Sequence, residues 1–246
     1  MKILSYKKHG IDFHTVWFAD EPIRKNGIIQ YRQANFEINK ADEFQTLISE
    51  LNIEADEIIS KFSKNCKYEV NRAQREGFIA EFYDKNNIDS NCIEKFLEFF
   101  LDFWKSKGVM DYNIASVRSE IECYIRFDSF VLSKAKFGED TVVYHTYFVD
   151  DTHARLLHSA SLYRDDGVIP SQLIGMANRY LHKEDMMYFK NTGKVIYDWG
   201  GAGIEDEVIN ITKFKESFGG TRVVQYNARV HKGLLAKMFK LLIEKK

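Results

Sequence analysis

The sequence predicts a mixed α/β fold, with a largely antiparallel sheet flanked by helices in two packed halves. Three observations carry this. Beyond about residue 127 the apolar residues recur at every second position through three consecutive segments. Before that point, and again after the three segments, longer stretches repeat at helical spacing. No Pro- or Gly-rich linker marks the change, and the 246 residues contain only two prolines. The halves are therefore drawn as 1–126, an N-terminal α/β half, and 127–246, a C-terminal half.

Each element follows from its local pattern. Residues 1–20 alternate as a strand ending near His14–Phe18, and Gly27–Phe36 reads as a second strand. Ala41–Leu51 carries apolar residues at helical spacing and is assigned to a short helix. In Ala55–Gly77 the residues Ile58, Ile59, Phe62, Cys66, Val70 and Ala73 fall on one helical face. Lys61, Lys64, Arg72 and Arg75 fall on the other with Lys67 beside them, and Gly77 is a natural stop. Phe78–Tyr83 is a strand, and Ile93–Gly108 and Ser116–Ile125 are helices. Phe130–Phe137, Thr141–Asp150 and Ala154–Tyr163 are the three period-two strands, joined by short polar connectors that suit hairpins. Ser171–Gly193 is a helix framed by Pro170 and Gly193. Val195–Gly201 is a strand breaking into a glycine turn; a short helix at Asn210–Gly220, a strand at Arg222–Asn227 and a basic amphipathic helix complete the chain.

Composition removes several functional classes. Apolar residues are 45% and charged residues 29%, enough for a packed core and too ordered for a disordered chain. Lys and Arg total 35 against 36 Asp and Glu, so no global basic field draws the chain to DNA, and tRNA is disfavoured as a partner. Cys66, Cys92 and Cys123 form no CxxC, and no His cluster has zinc spacing, so neither a metal nor a disulfide framework is expected. MKILSYKKHG lacks an apolar region of signal-peptide length, and no apolar run approaches the ~20 residues of a membrane span. These features predict a cytoplasmic protein. The oligomeric state is left open, a homo-oligomer included.

The chemistry-bearing features cluster in the second half. The loop RDDGVIPS delivers the chain to a helix start carrying Gln172, Gly175 and Ala177. Free N–H groups and the helix dipole at such a start favour phosphate, and a glycine lets it approach the backbone. The plain alternative is a helix start with one small packing residue. Asp198 ends a strand beside two glycines, where it can hold or deprotonate an amine, or simply cap the turn at Gly200–Gly201. Tyr197 points to the opposite face from Asp198 if the strand is regular. His145 and His158 sit in core strands as candidate bases or as hydrogen-bonded core residues. Ser159 and Ser161 face away from His158, and no G-x-S-x-G elbow is present. Cys123 is read as structural. His182 lies two helical turns beyond Gly175 on the same face, either beside the cofactor or in a core-facing or capping role. Leu234, Leu235, Met238, Leu241 and Leu242 share one side of the last helix, which packing on the sheet explains more economically than a membrane surface.

The strand–loop–helix form Gln172-x-x-Gly175-x-Ala177 resembles the pyrophosphate loop of the acyl-CoA-dependent N-acyltransferases of the GNAT superfamily. Three further segments resemble the Fem-type peptidoglycan-bridge aminoacyltransferases and their single-chain relatives. These are SKNCKYEVNRAQREGF (Ser63–Phe78), YDWGG (Tyr197–Gly201) and FKESFGG (Phe214–Gly220). The chain is shorter than those Fem proteins, without room for their long helical hairpin. It looks like a relative that acylates a nucleotide-linked amino sugar for surface polysaccharide.

The resemblance implies a GNAT-like sheet, an acyl-CoA co-substrate without a metal, and a dTDP- or UDP-linked amino sugar as acceptor. It places the donor at Gln172, Gly175 and Ala177 with Lys215 on a phosphate. It places the acceptor near Asp198, Tyr197 and Trp199, with Lys67 and Arg72 as contacts to its diphosphate. It makes 1–126 the acceptor side and 127–246 the acyltransferase half. Two other outcomes are kept open: aminoacyl-tRNA-dependent addition to a peptidoglycan precursor, and a non-catalytic binding protein on the same fold.

Overall fold

The computed structural model describes residues 1–162, 169–203 and 206–243. The chain divides into two compact units, Met1–Leu47 with Gly201–Ile209 and Arg222–Lys246, and Ile48–Gly200 with Asn210–Thr221. The change of pattern near residue 127 falls inside the second unit, because the helices before it cover the strands after it.

In the first unit β1 (Lys2–Lys8) and β2 (Ile11–Trp17) form a hairpin, where one strand was expected. β2 runs parallel to β3 (Gly27–Ala34). The β3 strand pairs antiparallel with the strand Thr221–Lys232. That strand is longer than its sequence pattern shows, since a bulge between Tyr226 and Ala228 interrupts the alternation.

Asp42–Glu50 is the strand β4, not a helix. Phe44, Leu47 and Ile48 have helical spacing, but the C-terminal end of β4 pairs with β9 (Ile196–Asp198) through Ile48↔Asp198 and Glu50↔Ile196. Tertiary pairing overrides the local pattern.

In the second unit the predicted long helix is two, α1 (Ala55–Ser60) and α2 (Lys64–Glu76). Ser63 breaks it because its hydroxyl caps the Cys66 N–H at 3.2 Å. Then follow β5 (Ile79–Tyr83), α3 (Ser90–Ser106) and α4 (Ile114–Arg126). The strands β6 (Phe130–Phe137), β7 (Asp140–Val149) and β8 (His153–Ser161) come next. The long helix α5 (Ser171–Asn191) precedes β9, and α6 (Asp206–Glu216) follows it. The strand order is β9-β8-β7-β6-β5, antiparallel except for β8 with β9. The strand Thr221–Lys232 is β10, and α7 (Leu234–Ile243) ends the described chain.

Alternation sends neighbouring side chains of β7 to opposite faces. His145 and Tyr147 meet α5, whereas Tyr144 packs on Phe96 and Phe99 of α3, and Phe148 on Tyr124 of α4.

In α7, Ala236 is buried and Phe239 packs edge-on against Phe13. Leu234, Leu235 and Met238 are exposed, at 76, 63 and 53%, so the expected packing of that side does not form. Leu241 and Leu242 carry no described side chains.

Candidate functional site

The site grows from one face of α5. Gly175, Asn178, His182 and Asp185 follow one another at three- and four-residue steps and so stack along that face. The facing strands β7 and β9 add His145, Tyr147 and Tyr197. Asp185, His145, Tyr147 and Tyr197 are all fully buried, and His182 is 2% exposed. A buried polar group is tolerable only when hydrogen-bonded, and here nearly all are. Asp185 Oδ2 accepts from Tyr147 O–H at 2.6 Å and lies 2.7 Å from His145 Nδ1. Tyr147 and Tyr197 join hydroxyl to hydroxyl at 2.7 Å. Tyr197 meets His182 Nδ1 at 2.7 Å, and His145 Nε2 lies 2.8 Å from Asn178 Oδ1. The two imidazoles stack at 4.0 Å.

Burial raises both phenols well above their ordinary range, with the Asp185 charge adding to it. Burial lowers His182 well below the ordinary imidazole range, and the neighbouring charges of His145, Lys215 and Arg179 push the same way. Neutral phenols and a neutral His182 are the forms this interior selects.

The network ends at a cavity of about 430 Å³. Asn178 and His182 of α5 form one wall; Leu156, Leu157 and Ser159 of β8, Gly200, and Asn210, Ile211, Phe214 and Lys215 of α6 form the rest. A register shift in the β7–β8 ladder pairs Thr146 with His158 and Tyr147 with Leu156. Leu157 is thus the extra residue of a bulge, which turns the strand's backbone at the cavity.

Gly200 closes the other side at φ +66°, and a Cβ there would lie 2.2 Å from the Leu156 carbonyl oxygen. Only glycine fits. Lys215 Nζ donates to the Gly200 carbonyl at 3.2 Å. Burial lowers its ammonium to about 8, with Asp198 opposing the shift.

The residues expected from sequence divide sharply. His182, Lys215 and Gly200 meet at the cavity, and His145 stands behind its wall. Gln172 is exposed at the start of α5, and Gly175 has open space where a side chain would be. Ala177 does not join them: it is fully buried in a core with Ala73, Phe78 and Leu181, because its position turns to the packed side of the helix. Of the loop RDDGVIPS, Arg164–Val168 lie outside the described residues.

Asp198 is buried and accepts the Gly200 N–H at 2.8 Å, the turn-capping alternative, while also favouring the charge on Lys215. Tyr197 and Trp199 are fully buried, and the indole donates to Ser49 Oγ at 3.0 Å, so both lie behind the cavity lining rather than open to an acceptor.

His158 lies on the other face of the sheet, 4.9 Å from the Phe100 ring and 3.9 Å from Glu120, because it is paired with Thr146 rather than His145. On α2, Lys67 donates to the Ser60 carbonyl and Arg72 to Glu76, away from the cavity.

Tyr147, Asn178 and Asp185 were not singled out by sequence. The signal was there, as polar residues at i, i+4 and i+7 on an otherwise buried helix face.

His145, His182 and Asp185 offer ligand atoms within 4.8 Å of one another. These atoms already hydrogen-bond within the network: His145 Nδ1 to Asp185 and His182 Nδ1 to Tyr197. Among the described residues no helix is long and apolar enough to cross a membrane.

No protein-family model matches the sequence, and no curated protein does. Solved structures share its fold. FemX superposes with a TM-score of 0.58 at 14% identity, over 81% of this chain and 64% of FemX. A conserved protein of unknown function from Bacteroides thetaiotaomicron gives 0.57 at 9% identity, over 93% and 82%. The C-terminal domain of a putative lysylphosphatidylglycerol synthetase from Agrobacterium fabrum gives 0.52 at 11% identity, over 87% and 71%. At these identities the likeness establishes the fold, a mixed α/β architecture with a largely antiparallel sheet flanked by helices. The chain spans under two thirds of the length of FemX.

Proposed function

We propose that the chain is an N-acyltransferase that moves an acyl group from acyl-CoA to the amine of a dTDP- or UDP-linked amino sugar. The observation that carries the reaction class is the cavity, where a neutral imidazole, a cationic lysine and a bulged strand face one cleft. Amine attack on a thioester needs a proton acceptor, an oxyanion donor and two reactants held together. His182, the backbone of the Leu157 bulge and the cavity walls answer to those needs. Lys215 supplies positive charge for a phosphate or for the developing oxyanion. The start of α5 at Gln172, with open space beside Gly175, is the place assigned to the CoA pyrophosphate. The choice of CoA and of a nucleotide sugar rests on the sequence resemblance.

Thermal unfolding with and without CoA and a panel of nucleotide sugars tests it. A ligand at ~100 times its Kd stabilises by about 2.7 kcal/mol, a shift of roughly 5–10 °C for a chain of this size. No shift with millimolar CoA sinks the acyl-CoA reading.

The fold shared with FemX favours a second reading, aminoacyl transfer from tRNA. It predicts tRNA binding that weakens steeply with salt and indifference to CoA.

A further inference from the structure

The buried chain of hydroxyls has a direction, and the direction fixes which nitrogen of His182 carries a proton. Asp185 Oδ2 is an acceptor, and Tyr147 donates its single hydroxyl proton there at 2.6 Å. Towards Tyr197, 2.7 Å away, Tyr147 has only lone pairs left, so Tyr197 donates to it. Tyr197 has then spent its own proton. Towards His182 Nδ1, also at 2.7 Å, it accepts, and Nδ1 carries the hydrogen. The contact of Tyr147 with His145 Nδ1 is longer, 3.4 Å, and does not compete with the bond from that nitrogen to Asp185. A neutral imidazole protonated at Nδ1 has its lone pair on Nε2. His182 lines the cavity, and among the described residues its Nε2 makes no hydrogen bond.

Resting on the N-acyl transfer reading, we propose that His182 is the catalytic base, accepting the acceptor amine's proton at Nε2, with Asp185, Tyr147 and Tyr197 as positioning residues that hold its tautomer. The amine enters neutral, and its lone pair attacks the thioester carbonyl carbon. The C–N bond forms and the carbonyl π pair moves to oxygen. The nitrogen, now a cation and far more acidic than a free ammonium, gives a proton to Nε2. The oxygen pair re-forms C=O, and the C–S bond breaks with its electrons leaving on sulfur. The thiolate takes the proton from Nε2. The products are an amide and a thiol, and His182 returns to its starting form.

The interior suits this brief custody. The His145 ring stacks on His182 at 4.0 Å, and both of its nitrogens are held, by Asp185 and by Asn178. Burial disfavours a charge on His182, and the cations Lys215 and Arg179 push the same way, so it takes a proton from a strong acid and releases it readily.

Long-range 15N–1H NMR of the 15N-histidine-labelled protein, without any substrate, reads the tautomer directly. The expected signature is a neutral His182 protonated on Nδ1, shifting towards the Nε2–H form in Tyr147→Phe, where Tyr197 regains a free proton. An Nε2–H ring in the unaltered protein overturns the proposal and leaves the acyltransferase reading standing. Turnover then completes the test, with acetyl-CoA and a UDP- or dTDP-linked amino sugar. His182→Gln is expected to lose about 10²–10⁴-fold in kcat, and Tyr147→Phe to lower kcat at nearly constant KM. An unchanged kcat in His182→Gln overturns the assignment. Absence of turnover in the unaltered protein, with acyl-CoA and aminoacyl donors alike, overturns the reaction itself, even where the tautomer is as expected.

Discussion

The two faces of the β7–β8 pair each hold a histidine, in opposite ways. On the α5 side His145 and the facing His182 sit in a chain of hydrogen bonds that runs from a carboxylate to a cavity. On the α3 side His158 lies among Phe96 and Phe100, and its Nε2 is buried without a hydrogen-bond partner. Burial lowers both His158 and His182, so the shift by itself does not separate a working imidazole from a packed one. The difference is connection. One ring has a partner that sets its tautomer and a cavity before it, and the other has aromatic neighbours. Perturbed titration marks a functional group only where the geometry gives it something to act on.

The comparison breaks first at His182. Its replacement by Gln should remove about 10²–10⁴-fold of kcat, while His158→Leu on the other face leaves kcat unchanged; steady-state turnover of both variants decides it. Next in size is Asp185→Ala. Removing the acceptor strands two buried donors, and denaturant unfolding should show a loss of about 3–5 kcal/mol.

Lys215 sharpens the account of the cavity through pH. Its ammonium titrates near 8 in the folded protein, so it is charged below that and neutral above it. CoA affinity measured by calorimetry should therefore weaken above about pH 8, approaching tenfold per pH unit if the charge is required. Lys215→Met should abolish that dependence; a parallel decline in the variant would detach Lys215 from donor binding.

The smallest effect is on stability at His158. A histidine lowered in the folded state binds fewer protons there than in the unfolded chain between its folded value and the ordinary 6.5. Unfolding free energy thus rises with pH across that window, and the contribution is lost as pH falls through it. His158→Leu should flatten part of this slope and change stability at pH 7 by under about 1 kcal/mol, since it removes a buried nitrogen that makes no hydrogen bond. Unfolding at pH 5 and pH 7 for both proteins checks the sign.

What the sequence by itself determined is local. Phe130–Phe137 is a strand because its side chains alternate, and α5 is a helix because its apolar positions recur between Pro170 and Gly193. The glycine after Trp199 was visible as a turn, and the shared face of Gly175 and His182 followed from helical spacing alone. Asp42–Glu50 carries helical spacing, yet it is a strand, because β9, nearly 150 residues away, pairs with its C-terminal end. Only the tertiary structure decided the site. His145 meets Asp185 across 40 positions, and Tyr147 meets Tyr197 across 50. Which histidine faces α5 depends on strand register, and which nitrogen carries the proton depends on a carboxylate two phenols away. Periodicity records which way a side chain turns from its own backbone. Hydrogen-bond direction and burial are properties of pairs brought together through space, and no local spacing encodes them.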